Sequence, residues 1–356
     1  MGAEFAELDV ICRPLRTISG TSGAAVDREW LEAWSAGADA VAQAAVADQT
    51  RGRRLTASAK WLRAALYDLL GERQTSAKDA ESLVVYRRGL QRFRRGISLS
   101  DHPVEFVTVP YEGTELRALF VPSEDPANTP CVIHFDGLDV MKELIFLMHA
   151  DELKERRVSM LICDHPGVGE AIRLQGLHLT SQIEKPAGAC LDYLAARGDV
   201  PLDRTGIMAL SLGGYYAPRA AAFEPRLKFC AVWGAIWDLP ACVRHCLSLG
   251  TGSVPLLEQF RWVFGLEPGA DVDGHLADFV LEPWIHRLTC PIFVLHGEDD
   301  RQAPSWTAER TYEAADRSTR RDLMVIPAGE PGSAHCQLDA IGVGVGALHD
   351  WVHDVA

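Results

Sequence analysis

The stretch TGIMALSLGGYYAPRAAAFEP (205–225) passes from an apolar strand pattern, through a cluster of small residues, into an Ala-rich helix pattern. At the junction, Ala209-Leu210-Ser211-Leu212-Gly213 has the spacing of a G-x-S-x-G nucleophile elbow, with Ala for the first Gly. Such an elbow needs a sharp turn that exposes the serine hydroxyl. Small residues two before and two after it let strand and helix approach closely. Ser-Leu-Gly also suits a simple helix N-cap, so the pentapeptide needs partners elsewhere in the chain.

The flanking sequence repeats the same rhythm. CVIHFDG (131–137), SMLICDHPG (159–167), LKFCAVWGAIWD (227–238), PIFVLHGEDD (291–300) and DLMVIPAG (322–329) read as strands. KELIFLMHADELKERR (142–157), KPAGACLDYLAARG (185–198) and AIGVGVGALHDWVHDV (340–355) read as helices. Continuous apolar strands alternating with amphipathic helices predict a mostly parallel sheet covered on both faces. VEFVTVPYEG and TELRALFVP (104–122) predict a leading hairpin that adds antiparallel edge strands. Upstream, residues 27–100 carry three helical patterns, the second ending at Gly71, which suit a bundle or a lid. Residues 239–290 hold helical patterns without a strand and are expected to form an inserted cap. The expected organisation is a helical N-terminal region (1–104), an α/β core (105–238 and 291–356) and the cap (239–290).

Composition narrows the function. The 356 residues are 47% hydrophobic and 24% charged, which excludes a disordered or collagen-like chain. A formal net charge of −14 argues against nucleic acid as a partner. The dense basic run at Arg51–Arg54 reads as a solvated helix start. Nine cysteines lie scattered without a CxxC pair and read as reduced core thiols. MGAEFAELDV lacks the basic and apolar regions of a signal peptide, and no apolar run is long enough to span a membrane. A cytoplasmic protein is expected, with no membrane partner. No P-loop, dinucleotide fingerprint or metal-ligand spacing is present, so no cofactor or metal is expected. Cys242, His245 and Cys246 stand at ligand-like spacing but read as a packed helix face.

Two further strand ends supply partners for Ser211. Glu298, Asp299 and Asp300 follow PIFVLHG, where a carboxylate can orient a histidine; the alternative is an acidic turn before a helix capped by Ser305. Of the acids, Asp300 is the assigned one. His335, in the loop after DLMVIPAG, can swing over the sheet edge. The order Ser211, Asp300, His335 is that of the α/β-hydrolases. In this reading His335 takes the proton of Ser211, and Asp300 holds the imidazole tautomer. The N–H of Leu212 and that of Leu138 form the oxyanion hole.

From about residue 105 onward the chain resembles the α/β-hydrolases. HFDGLDVMKE (134–143), DHPGVGEA (164–171), ALSLGG (209–214), HGEDDRQAP (296–304) and SAHC (333–336) are similar to one branch of them. That branch contains 2,6-dihydroxypseudooxynicotine hydrolase and fungal hydrolases that shorten naphthopyrone polyketides. SAKWLRAALYDLL (58–70) resembles the branch's helical N-terminal extension. The resemblance implies hydrolysis of a carbon–carbon bond beside a ketone, in an aryl ketone or polyketide. It also implies Ser211, Asp300 and His335 as the triad, Gly137-Leu138 as the oxyanion turn, and a homodimer. A carboxylesterase, thioesterase, acyltransferase or cyclase would use the same triad.

Expelling a carbon leaving group favours a second acid near the site. Asp238, Asp139 and Asp136 are candidates, each with an alternative reading as a cap or turn residue. His165 and Glu170 flank the glycine turn after the strand SMLIC, where a structural role is the simpler reading. Trp30, Trp34, Trp61, Trp237, Trp262 and Trp284 either line a pocket for a planar substrate or pack in the core.

Overall fold

The computed structural model describes residues 2–18, 23–76, 78–250, 256–267 and 269–356. Residue 77 of the expected third helix, and 251–255 and 268 of the expected cap, lie outside them. The chain divides into two compact units, residues 1–103 with 253–259, and residues 104–252 with 260–356. Among the described residues of the expected cap, 256–259 therefore group with the helical unit and the others with the α/β unit.

The helical unit contains α1 (Phe5–Cys12), α2 (Ala24–Thr50), α3 (Arg54–Arg73) and α4 (Ala80–Leu99). Sequence reading ended α3 at Gly71, yet the helix runs on to Arg73. Gly71 is a packing residue: a Cβ there would stand 2.6 Å from the Cβ of Trp34, and its carbonyl accepts from Trp30 Nε1 at 3.1 Å. Trp30 and Trp34 pack on each other at 5.4 Å, and Trp34 on Tyr67 at 5.9 Å. Asp68 is fully buried and accepts from Arg88 at 2.6 Å and Arg92 at 2.8 Å. Asp79 caps α4 by accepting from the Ser82 N–H.

The α/β unit is built on β1 (Glu105–Tyr111), β2 (Thr114–Val121), β3 (Cys131–Phe135), β4 (Ser159–Cys163), β5 (Thr205–Leu210), β6 (Cys230–Trp233), β7 (Ile292–Gly297) and β8 (Arg321–Ile326). They form one eight-stranded sheet in the order β1-β2-β4-β3-β5-β6-β7-β8. The β1–β2 hairpin is antiparallel and joins β4 antiparallel, while the other pairs are parallel. β3, β4, β5, β6 and β7 are buried throughout, as their apolar runs require.

Helices α5 (Lys142–Arg156), α6 (Gly169–Gln175), α7 (Glu184–Arg197), α8 (Gly213–Phe223), α9 (Leu239–Ser248), α10 (Leu256–Phe264), α11 (Asp273–Leu276), α12 (Trp306–Ala314) and α13 (Ile341–Val355) complete the chain. Sequence reading passed over α6, which is too short to develop a clear period, and offered α12 only as the helix after Ser305 in the alternative reading of the acidic loop. It also extended β6 to Asp238. The strand stops at Trp233 because Gly234 turns the chain at φ +79 and Ala235 N–H bonds to His296 instead of to the ladder. The strand order reverses between β3 and β5, where β4 lies on one side of the pair and β6 on the other. A crevice opens at such a switch point, beyond the carboxyl ends of the strands.

Candidate active site

Ser211 leaves β5 at φ +60, a left-handed conformation that a non-glycine residue adopts at a cost. The turn is accommodated by small neighbours. A Cβ on Gly213 would lie 2.6 Å from the Ala209 Cβ, and one on Gly214 2.0 Å from the Gly234 carbonyl oxygen. Ala209 can therefore replace glycine because Gly213, facing it, has no side chain. The Ser211 N–H donates to the Trp233 carbonyl at 2.8 Å, which fixes the elbow to β6.

His335 Nδ1 lies 2.7 Å from Asp300 Oδ2, and its Nε2 lies 2.8 Å from Ser211 Oγ. With Nδ1–H donating to the carboxylate, Nε2 is left to accept the serine proton. The other oxygen of Asp300 accepts from the N–H groups of Gln302 and Ala303 at 2.8 and 2.9 Å, locking the carboxylate. Burial pushes the Asp300 carboxyl up, but the charge and hydrogen bond of His335 outweigh it and the carboxyl sits below its ordinary value. Burial opposes charge on His335, while the adjacent Cys336 sulfur and the Asp300 carboxylate favour it. The balance lies well above the ordinary histidine value.

The other two acids of the loop hold the histidine segment. Glu298 accepts from the Ala328 N–H at 2.8 Å, and Asp299 from the Gly329 N–H at 2.7 Å and the Ser333 hydroxyl at 2.9 Å. Ser305 begins α12 without a side-chain cap bond. Sequence reading missed two supports. His296 accepts from Ala235 N–H and faces the Ala303 carbonyl at 3.0 Å. Cys336, at φ +49, places its sulfur 3.4 Å from the same Trp233 carbonyl that holds Ser211.

Phe135 of β3 lies opposite Ala209 of β5, so the turn Asp136-Gly137-Leu138 emerges beside Ser211. A Cβ on Gly137 would stand 2.8 Å from the Ser211 Cβ. Leu212 is the N-cap of α8, where backbone N–H groups lack intrahelical acceptors. Leu212 thus follows the serine in sequence, and Leu138 follows Gly137, which packs against it.

Two of the auxiliary acids, Asp238 and Asp139, are engaged elsewhere. Asp238 caps α9 by accepting from the Ala241 N–H at 2.7 Å. Asp139, at φ +51, forms a buried ion pair with Arg173 at 2.7 Å. Asp136 is fully buried, and burial with the neighbouring Asp164 and Glu143 pushes its carboxyl far above the usual range. His165 is also buried and is held low, at about 4, by burial. Among the tryptophans, Trp262 lies under the Arg173 guanidinium, Trp237 near that of Arg310, and Trp284 against Phe223. Cys242 and Cys246 are buried, and the Cys246 sulfur faces the carbonyls of Arg301 and Gln302 at 3.7 and 3.8 Å.

Residues 21–248 match the family model described as FrsA-like, esterase FrsA-like. This chain belongs to the FrsA-like esterase family. Over 218 residues, 56% of the chain and 51% of the relative, it is 32% identical to hydrolase ORFZ of Pyricularia oryzae. Over 215 residues, 60% of the chain and 56% of the relative, it is 28% identical to 2,6-dihydropseudooxynicotine hydrolase of Paenarthrobacter nicotinovorans. The chain thus spans little more than half the length of these two relatives. The crystal structure of 2,6-dihydroxy-pseudo-oxynicotine hydrolase superposes with a TM-score of 0.79 at 23% identity, covering 99% of this chain and 93% of that one. The fold is that of an α/β-hydrolase, and this member of an esterase family is a hydrolase like its relatives. No helix among its described residues is long and apolar enough to cross a membrane.

Proposed function

We propose that this FrsA-like hydrolase works through Ser211, His335 and Asp300 and cleaves a C–C bond beside a ketone in an aryl ketone or polyketide-type substrate. The observation that carries this reading is the continuous chain from Ser211 Oγ through His335 to Asp300, with links of 2.8 and 2.7 Å. Ser211 Oγ attacks the carbonyl carbon as His335 Nε2 takes its proton. The N–H groups of Leu212 and Leu138 stabilise the oxyanion. Collapse breaks the C–C bond, and the departing carbon, held as an enolate or phenolate, receives the proton from His335. Water then attacks the acyl-enzyme, His335 takes its proton, and that proton returns to Ser211 as the acid departs. The preference for a carbon leaving group rests on similarity to 2,6-dihydropseudooxynicotine hydrolase. The family's description as an esterase favours a second reading, carboxylic-ester hydrolysis by the same steps. In the same proposal the small-molecule substrate is met by a cytoplasmic homodimer.

Intact-protein mass spectrometry with a fluorophosphonate tests the nucleophile. One adduct on the wild type and none on Ser211→Ala is expected; labelling elsewhere, or full activity of the variant, overturns it. Parallel panels of aryl esters and aryl 1,3-diketones then separate the two leaving-group chemistries. Turnover of the esters alone would leave only the second reading.

A further inference from the structure

The motifs HFDGLDVMKE and DHPGVGEA, far apart in sequence, meet in one buried cluster. Lys142 is 1% exposed, and its Nζ contacts Glu170 at 2.7 Å, Asp164 at 2.8 Å and Glu143 at 2.9 Å. Asp164 also accepts from two backbone N–H groups, that of Lys142 at 2.9 Å and that of Glu170 at 2.8 Å. One carboxylate thereby joins the start of α5 to the start of α6. A Cβ on Gly169 would fall 2.1 Å from that carboxylate, so glycine is needed where the chain wraps around it.

The turn between β3 and α5 is fastened to the same 164–173 segment at two more places. The Asp136 carbonyl faces His165 Nε2 at 3.2 Å, and Asp139 pairs with Arg173 at 2.7 Å. The turn is thus tied near its start, at its middle and at its end. Between these ties Gly137 packs against Ser211, with Leu138 next in the chain. Lys142 is the cation around which these carboxylates gather. Without it, Asp164 and Glu170 would be two buried anions in repulsion, and the link between α5 and α6 would loosen.

We infer that Lys142, Asp164 and Glu170 are positioning residues that set the Gly137-Leu138 backbone over Ser211. They act through the turn and touch no reacting atom. The inference rests on the proposed serine mechanism with Leu138 in the oxyanion hole. A displacement of the turn by a fraction of an ångström weakens stabilisation of the tetrahedral state and leaves ground-state binding in place.

The test is the second-order rate of fluorophosphonate reaction at Ser211, with the affinity for an aryl trifluoromethyl ketone, in wild type, Glu170→Gln and Asp164→Asn. Both variants are isosteric, and thermal melting establishes their folded fraction at the assay temperature. A loss of about 10- to 100-fold in both readouts is expected, with binding of a non-reactive aryl alcohol unchanged. Lys142→Arg should recover more of the rate than Lys142→Met. Wild-type rates in folded Glu170→Gln and Asp164→Asn overturn the inference, as does a loss that only follows the unfolded fraction. Adduct formation on wild-type Ser211 separates that failure from failure of the nucleophile assignment, since a wild type without an adduct overturns both.

Discussion

Phe135 and Ala209 face each other in the parallel ladder of β3 and β5. The two strands therefore end within one residue of each other, and Gly137 and Ser211, each two residues beyond that pair, come close together. The proposed nucleophile and the proposed oxyanion turn are brought together by strand register, before any side chain acts.

Gly137→Ala should therefore damage catalysis more than stability. Its methyl group would stand 2.8 Å from the Ser211 Cβ and 2.9 Å from the Leu210 carbonyl oxygen. We expect kcat on an activated aryl ester to fall about 100-fold, with a melting temperature close to wild type. Steady-state kinetics with a thermal melt checks this.

The three acids after β7 should separate by function. Asp300→Asn is expected to lower kcat about 10⁴-fold, since the amide no longer fixes the His335 tautomer. Asp299→Asn loosens the bonds to Gly329 and Ser333 and should cost no more than about 10-fold, a figure of the size that modest misplacement produces. A larger loss in Asp299→Asn would reverse the assignment.

The pH profile follows from His335, whose protonation is favoured well above the ordinary range. The base must be neutral to accept the serine proton, so kcat/KM should rise with pH through a midpoint above the ordinary histidine value of about 6.5. Asp300→Asn removes a carboxylate that favours imidazolium, and the residual activity should titrate at lower pH. A wild-type midpoint below 6.5 would contradict this.

Acid should destabilise the α/β unit through three histidines that the mechanism does not use. His134, His149 and His349 are fully buried, and His149 Nδ1 meets His349 Nε2 at 2.9 Å. Burial and their mutual repulsion hold His134 and, by burial and nearby Arg156, His349 at about 3, with His149 also low. Their folded values lie below the unfolded one, so the stability they contribute is present above pH about 6.5 and is lost as pH falls toward 3. Each adds a slope of up to about 1.4 kcal/mol per pH unit in that window. Urea midpoints measured between pH 8 and pH 4 report it, and His349→Gln should flatten the slope.

In the helical unit, Asp68→Ala would leave Arg88 and Arg92 without their buried partner. A loss of about 3 kcal/mol in that unit is expected. Hydrogen exchange across 54–99 would show it as faster opening of α3 and α4.

Much of this architecture was legible in sequence because its signals are local. The alternation of apolar strands and amphipathic helices, the hairpin at Glu112-Gly113 and the small residues around Ser211 each encode a conformation within a few residues. Short elements such as α6 were not, because Gly169–Gln175 is barely two turns. Gly71 was misread as a helix stop because the reason for glycine there is Trp34, on another helix. Asp238 and Asp139 looked available in sequence, and only the folded chain shows the Ala241 N–H and Arg173 that engage them.

The sequence by itself determined which segments become strands, which become helices, and that Ser211 occupies a sharp turn between them. Backbone preference and apolar period are properties of neighbouring residues. The tertiary structure decided which of Glu298, Asp299 and Asp300 faces His335, and which motifs gather around Lys142. Those choices depend on distances of 3 Å between groups far apart in the chain, and such distances exist only once the sheet has set its register.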